Sequence, residues 1–544
     1  MDIIEELESR NLRIYPLLLA IFLVGFSIVY ISHGPRLADP DAWFQFMMAE
    51  YVVEDGGIPY IHELAYYPDG RVPWVQDTLF LPYLFAYTFL LVNPLGISMM
   101  GWAMMFPAVF GGGLAALALY LVVSQLFDKK TGLFAALLYA FIPLNLTRVY
   151  AGTIDKEVLY GVFIYAALFL FLKSAKDGIE LKRPESLLAP VLGGILFGFS
   201  YANWSGAGYV ALFISVATVL FFLYKQDMNL MKALLILTVV GSVTMRLLQP
   251  EKYPLQYYYN NYNILIPFFV SFLPLFAIYV ADYLNNRGKK TGALNVLIAT
   301  VLIGAGGLMV AGEGNHVYNM VSTPYNLLFS ESGAQKDVYM ATVAESQPSN
   351  FFGGGETTLE RIKNGQFYPN LNLMLFVLPF ALLLLLLKAN ENRVNYAYYF
   401  AIVWLVSGFV AANQGHRYLF FLAPSSVTAT AFILMHYLKK SKKDEIKHSA
   451  ALKHSMKPKR KEQAERNLSN ARIIYLIFII LTLAVSFKTL EASTDLMGQR
   501  RSDLSAPWLD ATMWAKDNTP ENSVIMFWWD YGYYFQAIGE RTTV

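Results

Sequence analysis

The chain has 544 residues, of which 56% are hydrophobic, 15% aromatic and only 15% charged, with a formal net charge of +2 and a mean hydropathy of +0.40. A soluble protein carries roughly a quarter charged residues, so a large cytosolic enzyme is excluded. Cysteine is absent, which excludes disulfides and thiolate-ligated metals.

Apolar runs of roughly 15 to 25 residues, the length that crosses a bilayer as a helix, recur along the whole sequence. The first, 14–31, is too long for a signal-peptide core and lacks a small-residue cleavage site, so it reads as a retained anchor. The next, 79–93, is short and interrupted by Pro82 and flanked by Pro94. Further runs lie near 97–126, 131–147, 158–172, 187–203, 206–224, 233–249, 262–283, 293–311, 371–387, 395–411, 417–438 and 473–487. Lys and Arg near helix ends stay on the cytoplasmic side, and the basic connections are Lys129–Lys130, Lys173 to Arg183, Lys225 to Lys232, Arg287 to Lys290, Lys388 to Arg393 and Lys439 to Arg472. If all face the cytoplasm with the N-terminus, parity allows one crossing between Asp41 and Lys129. The 79–93 run is then an interfacial or re-entrant helix of the first external loop. The expected fold is an all-α polytopic membrane protein of about thirteen transmembrane helices, N-terminus in and C-terminus out. Its inner side is net basic and its outer side net acidic. The expected basic cytoplasmic loop 439–472 carries 12 Lys and Arg and reads as a positive-inside anchor on anionic lipid, not as a nucleic-acid site.

Long external loops follow from this topology, at about 32–96, about 312–370 and after 487. They hold five candidate constellations. Asp39-Pro40-Asp41 precedes Trp43-Phe44-Gln45-Phe46; its carboxylates suit a hard cation such as Mg²⁺ or Mn²⁺, or simply cap a helix. Asp155-Lys156-Glu157 offers the same choice. Two acidic pairs more than a hundred residues apart reach one membrane face, so one shared cation could hold both loops. Glu345, in Thr342-Val343-Ala344-Glu345, is followed by the hinge signal Gly353-Gly354-Gly355. His416-Arg417 lies at an outer helix end and His62 in the first external loop; a guanidinium at headgroup level either anchors the helix or binds a lipid phosphate. Trp528-Trp529-Asp530-Tyr531-Gly532 is an aromatic cluster in a chain with nine Trp. It reads either as core or as a pocket for a small hydroxyl.

These residues resemble the catalytic subunit of the oligosaccharyltransferases, the STT3-like proteins, and archaeal single-subunit members most of all. Trp528 to Gly532 matches the family's WWDYG signature without departure. Asp41 with Trp43-Phe44 resembles the first acidic motif, Asp155-Lys156-Glu157 the second, and Thr342 to Glu345 the SVSE-type motif. The resemblance implies a membrane glycosyltransferase C-type architecture, with a transmembrane catalytic domain at 1–487 and the beginning of an extracytoplasmic domain at 488–544. Family members continue further past the signature, so it also implies that this chain is truncated. Implied, too, is transfer of a glycan from a polyprenyl (dolichol-type) phosphate or diphosphate to the Asn of Asn-x-Ser/Thr in an acceptor polypeptide. Asp41 and Glu345 would be catalytic; Asp41, Asp155 and Glu157 would hold Mn²⁺ or Mg²⁺; His62 and Arg417 would bind the lipid phosphate; Trp528, Trp529, Asp530, Tyr531 and Gly532 would bind the sequon. The partners expected are a lipid-linked oligosaccharide, an acceptor polypeptide and membrane lipid, with a single subunit working on the extracytoplasmic face of a cell membrane. The rivals are another lipid-phosphate-sugar-dependent membrane glycosyltransferase, from which the pentapeptide and Glu345 separate it, and a lipid or sugar transporter. A transporter would place ionisable groups at the bilayer midplane, where only Arg246, near an outer helix end, comes close.

Overall fold

The structure is a computed structural model and describes residues 14–180, 182–310, 318, 349–454, 458–500, 502 and 504–544. Its longer helices are α1 (Ile14–Tyr30), α2 (Pro40–Glu54), α3 (Phe80–Val92), α4 (Met99–Leu126), α5 (Lys129–Ala140), α6 (Lys156–Asp177), α7 (Pro184–Asn203), α8 (Gly208–Phe222), α9 (Met228–Leu248), α10 (Tyr262–Asn286), α11 (Ala293–Val310), α12 (Met374–Glu391), α13 (Tyr396–Gln414), α14 (Leu422–His454), α15 (Pro458–Gln499), α16 (Ala506–Asn518) and α17 (Trp529–Ala537). A two-residue parallel pair, Val524–Ile525 with Thr542–Thr543, is the sheet among the described residues. Ten helices of the described residues are long and apolar enough to cross a membrane. The protein is an integral membrane protein, because in lipid only a helix satisfies its own backbone groups.

Two runs depart from their expected form. The 131–147 run breaks: α5 stops at Ala140, and a separate turn, Pro143–Leu146, follows, because Pro143 has no N–H to extend the ladder. The described residues of the expected loop 439–472 are helical. α14 runs through Lys439 to His454, and α15 carries the last apolar run from Pro458 unbroken to Gln499, past residue 487. Neither stretch contains an internal Pro or Gly to stop it before 498.

α4 bulges into a π turn over Ala108–Leu114, where three glycines fall in a row. A Cβ on Gly112 would lie 2.5 Å from the Gly25 carbonyl oxygen, so the bare backbone lets α1 and α4 pack face to face. At 13 residues α3 is shorter than the roughly 20 that span a bilayer. It packs on α2 instead: Phe85 is fully buried and its ring lies 6.1 Å from Phe46, a burial contributing about 2–3 kcal/mol. α2 and α3 thus form the folded body of the segment between α1 and α4. Arg246, the residue that favoured a transporter, donates to the carbonyls of Pro250 (3.0 Å) and Tyr253 (2.8 Å) and so finishes the end of α9.

Candidate active site

Of Asp39 and Asp41, the helix uses Asp39 for its cap. Asp39 is the N-cap of α2 and accepts from the Ala42 N–H at 2.8 Å, with Pro40 in the first turn. Asp41 stands one residue past that proline, near enough to Lys156 and to the Tyr533 phenol to act on both electrostatically. Asp155 is likewise the N-cap of α6 and accepts from the Lys156 N–H at 2.7 Å. Burial works against its ionisation, but the Lys156 charge and that backbone bond outweigh it, so its carboxyl is held below the usual carboxylate range.

The two acidic turns meet through backbone. The Ala38 N–H donates to the Gly152 carbonyl at 3.1 Å, and the Ala151 N–H to Ser32 Oγ at 3.0 Å. Gly152 has φ +81°, a left-handed conformation that glycine adopts without strain, and its α-carbon faces Met104 and the Ala38 nitrogen. The segment before α2 and the segment before α6 are therefore stitched side by side. On these two turns four buried polar atoms have no hydrogen-bond partner among the described residues: Trp43 Nε1, Gln45 Oε1, Thr153 Oγ1 and Glu157 Oε2. Each such atom costs about 1–3 kcal/mol while it is unsatisfied, a cost that a bound ligand, ion or water relieves by supplying the partner.

Glu157 is 2% exposed, on the first turn of α6. Arg417 reaches its Oε1 at 3.4 Å from the short helix His416–Phe421, and the guanidinium lies 5.9 Å from the Trp204 ring centroid. The arginine keeps a quarter of its side chain exposed while its partner is enclosed. Among the described residues, no three of His, Asp and Glu converge closely enough to hold a metal ion on their own. Glu345, the further acidic candidate, lies outside the described residues.

His62 does not fit the phosphate-binding role. It is 1% exposed, and its ring nitrogens lie 3.4 Å from the Tyr51 hydroxyl and 3.4 Å from Gln536 Oε1, so no face of the ring is left for a lipid. Burial, with the nearby Arg71 charge, pulls its pKa down to about 4 against the hydrogen bond to Gln536. His62 is instead a rivet in a seam between the first external segment and α17. The seam continues through the Tyr67 N–H to the Thr543 carbonyl (3.1 Å), the Thr543 N–H to the Leu64 carbonyl (2.9 Å), and Gln536 Nε2 to Thr543 Oγ1 (2.6 Å).

Two residues that sequence reasoning missed close this seam. Arg71 pairs with Asp77 bidentately through Nε and Nη2, and its Nη1 donates to the Tyr533 hydroxyl at 2.9 Å, with the guanidinium carbon 4.6 Å from the Phe44 ring centroid. Tyr533 in turn lies 4.9 Å from Phe44 on α2. Arg71 is, with Arg36, one of two Lys or Arg residues between 32 and 96, in an otherwise acidic segment, which was the available signal. Trp528 to Gly532 enters α17 at its first turn: Trp528 is exposed at the N-cap, and Tyr531 stacks on Trp508 of α16 at 4.7 Å. Gly532 faces Thr543 at ordinary contact distance. The side chains of Trp529 and Asp530 lie outside what is described. The seam thus presents the start of the pentapeptide helix beside the helix that carries Asp41.

The profile described as "Oligosaccharyl transferase STT3, N-terminal" matches residues 21–491. The chain belongs to the STT3 oligosaccharyl transferase family. It is 23% identical over 560 residues to dolichyl-phosphooligosaccharide-protein glycotransferase 3 of Archaeoglobus fulgidus, covering 94% of this chain and 60% of that protein. It is 23% identical over 565 residues to the STT3 subunit of the Dictyostelium discoideum dolichyl-diphosphooligosaccharide–protein glycosyltransferase, covering 97% of this chain and 72% of that subunit. Its fold matches the A. fulgidus oligosaccharyltransferase crystal structure in the apo form with a TM-score of 0.75 at 19% identity, over 97% of this chain and 64% of that one. A structure of the A. fulgidus enzyme in complex with an inhibitory peptide and a dolichol-phosphate matches equally well, with a TM-score of 0.75 at 20% identity over 97% of this chain and 64% of that one. The chain thus spans about 60% of the length of the first of these relatives.

Proposed function

We propose that this STT3-family chain is the membrane catalytic part of an oligosaccharyltransferase, moving a glycan from a polyprenyl phosphate or diphosphate to the Asn side chain of Asn-x-Ser/Thr. The observation that carries this reading is the Ala38–Gly152 backbone bond, which sets Asp41 and the Asp155–Glu157 turn side by side. A carboxamide nitrogen is a poor nucleophile because its lone pair is delocalised into the carbonyl. Asp41, with Glu345 brought in by its own loop, accepts the two N–H bonds of the acceptor amide and turns the nitrogen toward the sugar carbon; this is positioning and electrostatic preorganisation. Arg417, part-exposed beside Glu157, grips the lipid phosphate. The turn Trp528 to Gly532 reads the hydroxyl two residues past the acceptor Asn, and a peptide without it leaves buried polar groups unpaired. The relative from A. fulgidus has been solved with an acceptor peptide containing the NVT sequon, in accord with that role.

A divalent cation would be held by Glu157, whose second oxygen is orphaned, and Asp155, with Asp41 on the adjoining turn; the three do not converge on their own, so the donor's phosphate would have to complete the set. When bound there, Mn²⁺ or Mg²⁺ would supply Lewis-acid stabilisation to the departing phosphate oxygens. The topology belongs to the same proposal: about thirteen crossings, the N-terminus inside and the reaction on the extracytoplasmic face, in a single subunit.

The test incubates the full-length protein with lipid-linked oligosaccharide, an Asn-x-Thr peptide and Mn²⁺, and looks for glycopeptide by mass. Asp41→Asn lowers turnover by about 100-fold or more, and Asp155→Ala weakens Mn²⁺ in a titration of the purified protein. Glycosylated lipid in place of glycopeptide would overturn the reading in favour of another lipid-phosphate glycosyltransferase, and an unchanged Mn²⁺ titration would remove the ligand assignment.

A further inference from the structure

A cavity of about 520 Å³ opens at the head of α10, walled by Lys252, Gln256, Tyr257, Asn260 and Tyr262. That volume suits a small polar ligand, and apart from Pro254 the lining is polar or aromatic: primary amides, phenols and one ammonium. Amides donate and accept at the same site, and aromatic faces offer flat apolar support with a polar edge. A sugar ring needs this combination, with its alternating hydroxyls and apolar C–H faces.

The chain around the cavity is fixed by bonds just outside its lining. The Tyr258 hydroxyl donates to the Ser242 carbonyl at 2.9 Å, and Arg246 ties down the Pro250 and Tyr253 carbonyls. Asn261 is committed to the floor: its side chain caps α10 through the Asn263 N–H (3.0 Å), and its Nδ2 donates to the Tyr201 hydroxyl at 2.8 Å. Gln256 and Asn260 are exposed, so their amides face the opening.

The cavity's position selects the substrate. Behind the cavity, the lining residue Asn261 reaches Tyr201 on the last turn of α7, and two residues on, Asn203 Nδ2 donates to the Lys156 carbonyl at 2.7 Å. One helical turn therefore links the cavity to the Asp155–Glu157 turn. On the other side, Lys252 Nζ donates to the Gln76 carbonyl at 2.7 Å, and Gln249 Nε2 donates to the Trp74 and Asp77 carbonyls, each at 2.7 Å. The same strap, 71–77, holds Tyr533 of α17 through Arg71. The strap thus bonds both to Tyr533 of the pentapeptide helix and to Lys252 of the cavity lining.

We propose that this cavity receives a sugar of the lipid-linked donor, held by the Gln256 and Asn260 amides, the Tyr257 and Tyr262 rings and the Lys252 ammonium. The inference rests on the oligosaccharyltransferase reading for its substrate. Burial draws the Lys252 ammonium down to about 8, partly countered by Asp77 and reinforced by Lys156 and Arg71, so it still carries a proton at neutral pH.

The experiment measures binding, not turnover, so that it can fail separately from the catalytic reading. The full-length protein in nanodiscs is titrated with dolichyl phosphate and with dolichyl phosphate bearing one glucose, mannose or N-acetylglucosamine. At least one glycosylated lipid binds about tenfold more tightly than the bare lipid, and the double substitution Gln256→Ala with Asn260→Ala removes that preference while leaving bare-lipid affinity unchanged. Lack of preference in the unmodified protein, or a preference that survives the double substitution, overturns the proposal. With an active preparation, the donor KM rises about tenfold in the double variant while the peptide KM holds; a rise in the peptide KM instead assigns the cavity to the acceptor and also overturns it. If glycopeptide never forms but the binding preference behaves as stated, the catalytic reading fails and the cavity assignment stands.

Discussion

His62 shows how a single side chain changes meaning once its surroundings are known. In the sequence it is a histidine in an acidic external segment; in the fold it is a neutral, buried ring between Tyr51 and Gln536. Its folded pKa, about 4, lies below the ordinary 6.5. Between those values the unfolded chain takes up a proton that the folded chain refuses, so stability falls as pH drops from about 6.5 toward 4, by up to about 3 kcal/mol. Melting temperature in detergent, followed across that range, should decline, and His62→Gln should remove most of the decline; an unaltered pH profile in that variant would assign the effect to other groups. Asp39 and Asp41 make the complementary case. Two carboxylates two residues apart are equivalent as ligands, yet the helix takes Asp39 as its cap and leaves Asp41 in the first turn beside the second acidic turn. The sequence offered both roles without assigning them, because capping depends on which residue takes the extended backbone before the first turn.

At the scale of elements, the decisive joint is where α1 meets the π turn of α4. Gly25 and Gly112 approach so closely that a Cβ on either would meet the other's carbonyl oxygen at 2.5–2.6 Å. Backbone cannot give way as a flexible side chain does, so Gly112→Ala should cost about 1–3 kcal/mol or more, read as a lower melting temperature and folded yield. The consequence extends to the site. Gly111 of the same bulge accepts the Asn145 side chain through its carbonyl at 3.3 Å, and the chain runs from there to Gly152 and Asp155. α14 and α15 teach the opposite lesson about patterns. Charge ended the apolar runs at 438 and began the next at 473, but charge does not end a helix; Lys, Arg, Glu and Ala are good helix formers, and both helices continue through the basic stretch.

For the whole molecule, the proposed topology puts the α14–α15 connection in the cytoplasm and the acidic turns outside. A tag inserted at 455–457 should be protected from an external protease in intact cells, and a tag after 544 should be cleaved; the reverse pattern would invert the orientation. Much of this was legible in the sequence. Run lengths of 15 to 25 apolar residues dictate membrane helices, because the hydrocarbon core has one thickness, and the pentapeptide with two acidic pairs points to the family. What the sequence could not decide was which residues meet. The Ala38–Gly152 stitch, the Arg71 clasp on Tyr533 and the Asn261 bond to Tyr201 each join segments separated by at least about fifty residues of chain. Such contacts leave no period in the sequence, since they are set by how helices of similar length and hydropathy pack against one another. The sequence alone therefore determined the medium, the helices and the kinds of reactive group; the tertiary structure decided that Asp41 and Asp155 share a turn interface and that His62 serves a seam.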